Sequence, residues 1–343
     1  MSERTIKNWC RLMPKVELHR HFEGSLRPEM IFRMAQRHGI GLPFRSVEDY
    51  QQKLAFRSFS DFVSMFIIGV RCLREPVDFY ESTLDLGRQL YADGILYADI
   101  TITPQFYLSR SYSLEDIFGA LKKGADLVKE KLDVDIRWVV DLVRNKIEVS
   151  EVAFHELMKI DLKHYSIHAL GLGGPEKGYS ALPFANMFAE AKRQGLRSNP
   201  HAGEFDGAAS VALCVESLKA DRIGHGVRVW EDPAVIQELI DRGISIEVCL
   251  SSNFKLGVFN RESHPVKKLF DAGVKLSLNT DDPALFKTNL SYEYFLAMTY
   301  FGFDLDMLKK STIVAAENIH DESCGLALMQ KINNQFKVLG LDE

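Results

Sequence analysis

The chain has 343 residues, of which 46% are hydrophobic and 26% are charged, and its formal net charge is -5 at pH 7. This composition is ordinary for a globular protein and excludes a disordered or fibrous chain. The small negative charge gives no general attraction to nucleic acid or to an anionic membrane, so a small molecule is the expected partner.

Targeting and cysteine patterns favour the cytoplasm. The first nine residues lack an apolar core of signal-peptide length, and apolar runs such as 62–70 are too short to span a bilayer. The five cysteines are scattered without Cys-x-x-Cys spacing, which argues against a disulfide framework and against a thiolate metal site. We therefore expect a cytoplasmic protein whose oligomeric state the sequence leaves open.

Two histidines stand in the first predicted element. The stretch 16–24 alternates like a short β-strand, and side chains two residues apart on a strand point to the same face, so His19 and His21 face the same way. Two such imidazoles can bind one zinc-sized ion. Histidines on a strand face are more often structural, so a metal site requires further ligands from elsewhere in the chain.

Two helices are predicted next. One runs from Pro28, a residue type favoured in the first turn of a helix, to about His38. The other covers about 58–70, where phenylalanines and other apolar residues recur at three- and four-residue spacing. Core packing is the simpler interpretation of this pattern, and a role in covering a pocket is compatible with it.

From Gly94 onward, strand-like runs alternate with helical stretches. With the opening strand they make eight β/α units, and short apolar strands of this kind are typical of a parallel sheet buried by helices. They predict an α/β fold, a (β/α)8 TIM-type barrel with additional helices inserted after strand 1 and at the termini. No linker interrupts the series, so we expect one domain over 1–343 with a helical insertion at about 39–93. The seven later strands are predicted at 95–102, 135–142, 166–172, 197–201, 222–227, 245–250 and 275–279.

Residues with functional side chains stand at the ends of the predicted strands, where barrels of this type carry their active sites. Each has an ordinary explanation alone: His225 lies between glycines as in a turn, Asp282 precedes a proline that can open a helix, and Glu204 can be a solvated acid. Their joint placement at one rim favours a functional site. The residues at this rim are His19, His21, His201, Glu204, His225, Asp281 and Asp282.

Three imidazoles and a carboxylate, with one position left for water, form a catalytic zinc site. The metal lowers the pKa of its water toward about 7, a glutamate within reach can move a proton, and a further histidine can orient or deprotonate the water. The residue types at the rim therefore predict metal-assisted hydrolysis.

Five segments, in this order, resemble the adenosine and adenine deaminases of the metal-dependent amidohydrolase superfamily over nearly the whole chain. They are PKVELHRHFEG at 14–24, GGPE at 173–176, HAGE at 201–204, GHG at 224–226 and SLNTDDP at 277–283. HAGE and SLNTDDP are the most specific in combination. The resemblance implies hydrolytic removal of the 6-amino group from a purine, with release of ammonia.

The resemblance also implies a role for each matching residue. Zinc hydroxide would attack purine C6 while Glu204 protonates N1, and His225 would steer the water and help to deprotonate it. Asp282 would hydrogen-bond to N7 and the Gly174 backbone N–H to N3, while Glu23 would face the ribose 5'-hydroxyl. One Zn²⁺ per chain would be held by His19, His21, His201 and Asp281.

Three departures from the family pattern bear on the substrate. Glu23 stands where the nucleoside enzymes have Asp, Gly171 stands where they commonly have another Asp, and Leu250 stands where they have Pro. Adenosine or 2'-deoxyadenosine is the favoured substrate. The open loop after strand 4 would admit a larger 5' substituent, so 5'-modified adenosines such as aminodeoxyfutalosine remain alternatives, as does free adenine. A carboxylate at Glu23 would repel a 5'-phosphate, which disfavours AMP.

Other classes fit the sequence less well. A zinc-dependent nucleic-acid deaminase requires His-x-Glu with Pro-Cys-x-x-Cys, and a serine hydrolase of the α/β class requires a Gly-x-Ser-x-Gly elbow; neither pattern is present. A barrel that binds purine or metal without turnover remains an alternative. Glu204 and His225 favour an enzyme, because holding a metal does not require them.

Overall fold

The computed structural model describes residues 1–56, 58–319 and 322–341; residue 57, within the predicted insertion, lies outside them. The described residues form an eight-stranded sheet in which every strand pairs in parallel with the next one along the chain. The strands are β1 (Lys15–His21), β2 (Ile95–Ile102), β3 (Asp135–Val143), β4 (Ile167–Gly173), β5 (Arg197–Ala202), β6 (Arg222–His225), β7 (Ser245–Val248) and β8 (Leu276–Leu278).

The last strand returns to the first at Asp281. The backbone N–H of Asp281 donates to the carbonyl oxygen of His19 at 3.0 Å, and the N–H of His21 donates to the carbonyl oxygen of Asp281 at 2.8 Å. Arg20 and Asp281 pair in parallel at this point. The predicted (β/α)8 barrel is confirmed.

Helices surround the barrel, and their starts follow local sequence. Ser46, Ser58 and Ser113 each accept the backbone N–H of the third residue of the helix that they precede. The helices are α1 (Glu3–Leu12), α2 (Pro28–Arg37), α3 (Val47–Gln52), α4 (Phe59–Cys72), α5 (Pro76–Ala92), α6 (Leu114–Leu132), α7 (Ile147–Leu157), α8 (Ala185–Arg193), α9 (Ala208–Ser217), α10 (Pro233–Arg242), α11 (Leu250–Lys255), α12 (Val266–Asp271), α13 (Pro283–Phe286), α14 (Leu290–Phe301), α15 (Leu305–Glu317) and α16 (Glu322–Val338).

Additional helices lie where the sequence predicts them, after strand 1 and at both termini. α1 precedes β1, and α14 to α16 follow β8. α2, α3 and α4 lie between β1 and α5, and α5 itself packs against β2 and α6. α5 is therefore part of the outer helical ring of the barrel. In the described part of the chain no helix is both long and apolar enough to cross a membrane.

Three predicted strands, β6, β7 and β8, are shorter in the structure, and the ends of β6 and β8 lie at the site. β6 ends at His225 because His225 and Gly226 have φ angles of +61° and +70°, which do not continue a strand. β8 ends at Leu278, and the side chain of Asn279 accepts the backbone N–H groups of Leu18 and His19 from β1. The side chain of Asn279 thus links the last strand of the barrel to the first.

Candidate active site

Four ligand-type side chains converge at the C-terminal rim. One ligand atom from each lies within 4.8 Å of those of the others, and the set is His19, His21, His201 and Asp281. Oδ1 of Asp281 lies 3.2 Å from Nε2 of His21 and 3.5 Å from Nε2 of His19. Nε2 of His21 lies 3.2 Å from Nε2 of His201. β1, β5 and the turn after β8 bring these atoms together, as the sequence predicts.

The donor set fits a divalent metal ion. Nε2 of His19 is fully buried and has no hydrogen-bond partner among the described residues. Three imidazole nitrogens and one carboxylate oxygen are a donor set typical of zinc. The Nε2 atoms of His21 and His201, 3.2 Å apart, are also close enough for both to bind one cation.

Glu204 and His225 form a second group with Asp281. Nε2 of His225 lies 3.7 Å from Oε2 of Glu204 and 3.9 Å from Oδ2 of Asp281. Burial, and then the nearby charge of Asp281, raises the pKa of Glu204 well above its ordinary value. Burial lowers the pKa of His225 to about 3. The two shifts favour the uncharged form of each group, a protonated carboxyl group beside a neutral imidazole.

Two of these residues adopt a backbone conformation that side chains disfavour. His225 has a φ angle of +61° and Asp281 a φ angle of +63°. A left-handed conformation costs a residue other than glycine about 1–2 kcal/mol. Such conformations cluster at functional sites, where the surrounding structure holds them. Here they turn both side chains toward the same ligand cluster.

Charged and polar neighbours hold two of these side chains, His19 and Asp281, in place. Nδ1 of His19 lies 2.9 Å from Oε2 of Glu247, whose Oε1 lies 2.7 Å from Nε of Arg222. The hydroxyl of Ser252 donates to Oδ2 of Asp281 at 2.6 Å. A carboxylate on Nδ1 fixes the tautomer that presents Nε2 of His19 to the ligand cluster.

The predicted substrate contacts follow the C-terminal ends of β1, β4 and β8, at the same rim of the barrel. Gly174 has a φ angle of +86°, and a Cβ added there would lie 2.8 Å from Val143, so the position favours glycine. Asp282 is buried, and within the described ranges its Oδ1 atom has no hydrogen-bond partner. A Cβ added at Gly24 would meet Oδ1 of Asp282 at 1.7 Å. The main chain at Gly24 therefore lies directly against Asp282.

Glu23 is held in place by two donors. Its Oε1 atom accepts the backbone N–H of Thr103 and the hydroxyl of Tyr107, both at 3.0 Å. Its Oε2 atom is buried with no partner in the part of the chain that the structure describes. The side chain is 3% exposed, and burial raises its pKa. One oxygen of a fixed carboxyl group is thus available to a ligand.

Asp141, at the end of β3, is a site residue that the sequence analysis missed. A Cβ added at Gly171 would lie 2.0 Å from its Oδ1 atom, and one added at Gly173 would lie 2.6 Å from its Oδ2 atom. Gly171 lies within β4, and Asp141 fills the space beside it. Oδ2 of Asp141 also lies 3.8 Å from Nδ1 of His201. A single acid in the otherwise apolar end of strand 3 is the signal that could have identified it.

α4 covers this rim with aromatic side chains. Phe59 packs against Phe205, the residue after Glu204, with ring centroids 5.2 Å apart. Phe62 stacks on Phe286 of α13, also at 5.2 Å. The helix combines the two roles that its sequence pattern allowed, because it is part of the core and it covers the site.

Comparisons with known proteins agree on one family. A family model described as adenosine deaminase matches residues 14–334. An adenine deaminase from Caulobacter vibrioides (strain NA1000 / CB15N) is 35% identical over 299 residues, which cover 87% of this chain and 86% of that protein.

Solved structures agree with this result. The crystal structure of an adenine deaminase from Arthrobacter aurescens matches with a TM-score of 0.89 at 26% identity, covering 95% of this chain and 99% of that chain. An amidohydrolase from Burkholderia ambifaria, solved with bound zinc, matches with a TM-score of 0.86 at 23% identity and covers 97% of this chain and 93% of that chain. The second likeness is one of fold alone.

Proposed function

The chain belongs to the adenosine deaminase family, whose members are metal-dependent hydrolases that deaminate purines, and on this premise we propose that its substrate is free adenine. The enzyme acts on C–N bonds of cyclic amidines. In the proposed reaction adenine and water give hypoxanthine and ammonia: the bond from C6 to the amino nitrogen breaks, and a bond from C6 to the water oxygen forms.

We assign the metal to the four convergent ligands. His19, His21 and His201 would offer Nε2, and Asp281 would offer a carboxylate oxygen. Zinc, one ion per chain, suits this donor set. When bound, the metal activates a water molecule for attack on C6.

Proton transfer falls to Glu204 and His225. A protonated Glu204 can donate its proton to purine N1, which makes C6 more electrophilic. A neutral His225 can accept a proton from the attacking water, and it lies 3.7 Å from Glu204, so both groups can serve one reacting centre. The directions of the two pKa shifts favour a protonated Glu204 and a neutral His225, the forms in which an acid can donate a proton and a base can accept one.

Asp282 and Gly174 would orient the purine. The Oδ1 atom of Asp282 is buried and has no hydrogen-bond partner among the described residues, which suits a hydrogen bond at N7. The backbone N–H of Gly174 suits N3 on the opposite edge of the base. With both edges fixed, C6 is held against the metal ligands.

Glu23 is the residue on which the proposal of free adenine, rather than a nucleoside, rests. By the resemblance, position 23 lies on the ribose side of the purine, and here a longer side chain is held by Thr103 and Tyr107 and buried. Free adenine has an imidazole N–H that a nucleoside lacks, because ribose occupies N9. The free oxygen of Glu23 suits that donor and leaves less room for a sugar.

Two further features favour a small substrate. Asp141 fills the space beside Gly171 that was expected to accept a larger 5' substituent. The phenylalanines of α4 close over the loops that carry Glu204 and Asp282. The curated relative from Caulobacter is itself named an adenine deaminase.

A substrate panel tests this proposal. Purified enzyme with zinc would be given adenine, adenosine, 2'-deoxyadenosine, 5'-methylthioadenosine and aminodeoxyfutalosine, and loss of the 6-amino group would be followed by ultraviolet absorbance. We expect kcat/KM for adenine to exceed that for any nucleoside by about 100-fold or more, a difference that polar recognition can supply. Equal or better turnover of adenosine would contradict adenine as the substrate. Absence of turnover for every compound would favour a binding protein.

A further inference from the structure

One buried carboxylate outside the predicted site organises the loop that carries Glu204. Glu176 lies between β4 and α8 and is 6% exposed. Its two oxygens accept four consecutive backbone N–H groups, and the hydroxyl of Ser210 also donates to Oε1. The four N–H donors are Gly203 at 2.6 Å, Glu204 at 3.0 Å, Phe205 at 2.7 Å and Asp206 at 2.9 Å.

Consecutive N–H groups that converge on one anion form a nest, which requires a left-handed residue within the turn. Gly203 supplies it, with a φ angle of +65°. A Cβ at this position would lie 2.6 Å from Val211, so a larger residue would displace the turn. Hydrogen bonds to a charged acceptor are stronger than neutral ones, so five of them hold the turn firmly.

The anchored turn places Glu204 relative to β4. The backbone N–H of Glu204 is itself one of the donors to Glu176, so its Cα cannot move without breaking that bond. Gly174, whose N–H is assigned to purine N3, stands two residues before Glu176. Glu204 is assigned to purine N1. N1 and N3 flank C2 in the six-membered ring of the base, so Glu176 joins the two loops that would contact this ring.

We propose that Glu176 is a positioning residue that holds the carboxyl group of Glu204 at purine N1. The inference rests on the proposed function, because it assumes that Glu204 donates a proton to the substrate. Among the described residues, the side-chain hydrogen bonds of Glu176 come from the turn and from Ser210, so it acts on the reaction through Glu204. A fault in the turn would misplace the proton donor and leave the metal ligands intact.

The first test is Glu176→Gln. The amide nitrogen of glutamine cannot accept hydrogen bonds, so one side of the nest loses its acceptor. We expect kcat for adenine to fall about 10- to 100-fold, as for other groups that orient catalytic residues. KM should stay within about threefold, because binding at the remaining contacts is unchanged. Zinc content should equal that of the parent enzyme.

A matched control is Asp93→Asn. Asp93 is also a buried carboxylate, and it accepts the backbone N–H and the hydroxyl of Ser291. It precedes β2, at the end of the barrel opposite the site. We expect this variant to keep the parent kcat. An equal loss of kcat in both variants would mean that Glu176 is merely structural, and the proposal would be wrong.

A double variant tests whether Glu176 acts through Glu204. Glu204→Gln alone should lower kcat about 10²- to 10⁴-fold with zinc retained. Adding Glu176→Gln to Glu204→Gln should then lower kcat less than about threefold, because the group that Glu176 positions is already disabled. Multiplicative losses would overturn the proposal.

Two further results complete the design. If Glu176→Gln does not fold, Glu176→Asp keeps the charge with a shorter reach; we expect an intermediate kcat, and the parent kcat in this variant would overturn the proposal. Full activity of Glu204→Gln would contradict the proposed function itself. An inactive Glu204→Gln with a fully active Glu176→Gln would contradict only the role of Glu176.

Discussion

The backbone N–H of Asp281 donates to the carbonyl oxygen of His19 at 3.0 Å, so two of the proposed metal ligands, from opposite ends of the sequence, meet at the seam of the barrel. The bond joins the turn after β8 to β1, the last strand to the first. Closing the barrel and assembling the ligand set are therefore the same structural event, and metal binding should stabilise the fold.

Metal removal should lower the melting temperature. At a free zinc concentration of 100 times the Kd, binding stabilises the folded state by about 2.7 kcal/mol, which corresponds to a few degrees in Tm for a chain of this size. Differential scanning fluorimetry before chelation, after chelation and after zinc is restored measures the effect. The variant His21→Ala should show no zinc-dependent shift. A parent protein that is indifferent to zinc would contradict the site.

Loss of the Glu247 charge should weaken metal binding. Glu247→Gln must present its amide nitrogen either to His19 or to Arg222, and each choice breaks one of the two contacts. We expect zinc affinity to fall about 10- to 100-fold, measured by competition with a coloured chelator. Glu293→Gln, at another fully buried carboxylate, should keep the parent affinity. Equal affinity in Glu247→Gln and the parent would show that His19 needs no such partner.

A shorter acid at position 23 should relax the choice of substrate. Glu23→Asp withdraws the carboxylate from Thr103 and Tyr107 and vacates about one methylene of space. We expect the ratio of kcat/KM for adenosine to that for adenine to rise about tenfold or more. Tyr107→Phe should change the ratio in the same direction. Tyr294→Phe is the control, because that buried hydroxyl contacts Thr312. An unchanged ratio in Glu23→Asp would remove Glu23 from substrate selection.

Glu293 should make stability depend on pH. Burial raises its pKa from 4.5 to about 7, while the hydrogen bonds from Ser251 and Thr288 oppose the shift only in part. Below pH 4.5 the group is protonated in both states. Between 4.5 and about 7 the unfolded chain loses the proton first, so stability falls as pH rises and the loss is complete above pH 7.

Glu293→Gln should remove this dependence. The amide oxygen can accept the backbone N–H of Ser251, and the amide nitrogen can donate to the hydroxyl of Thr288. We expect the variant to match the parent Tm near pH 4.5 and to exceed it by a few degrees at pH 8. Urea unfolding at a series of pH values gives the same comparison in free energy. A stability difference between Glu293→Gln and the parent that is the same at all pH values would contradict the assigned titration. The control is Glu130→Gln, at an exposed position, whose stability should follow that of the parent at every pH.

The strand ends were predictable because each was marked by local sequence. Apolar runs located the seven later strands to within two residues, and His19 and His21 face one way by strand geometry alone. The supporting residues could not be found in the same way. Glu247 reaches His19 only because closure of the barrel leaves a single strand, β8, between β7 and β1. The nest on Glu176 depends on the fold of a turn 27 residues away along the chain.

The carboxylate of Asp141 occupies the space that a side chain at position 171 would need. The oxygen of Asp141 lies 2.0 Å from where a Cβ of residue 171 would stand, so a side chain at 171 and an aspartate at 141 exclude each other. Relatives of this enzyme should therefore show covariation of these two positions, with the carboxylate supplied by one strand or by its neighbour. Gly171→Asp alone should misfold the rim. Only the double exchange of Gly171→Asp with Asp141→Gly would transfer the acid from β3 to the neighbouring strand β4.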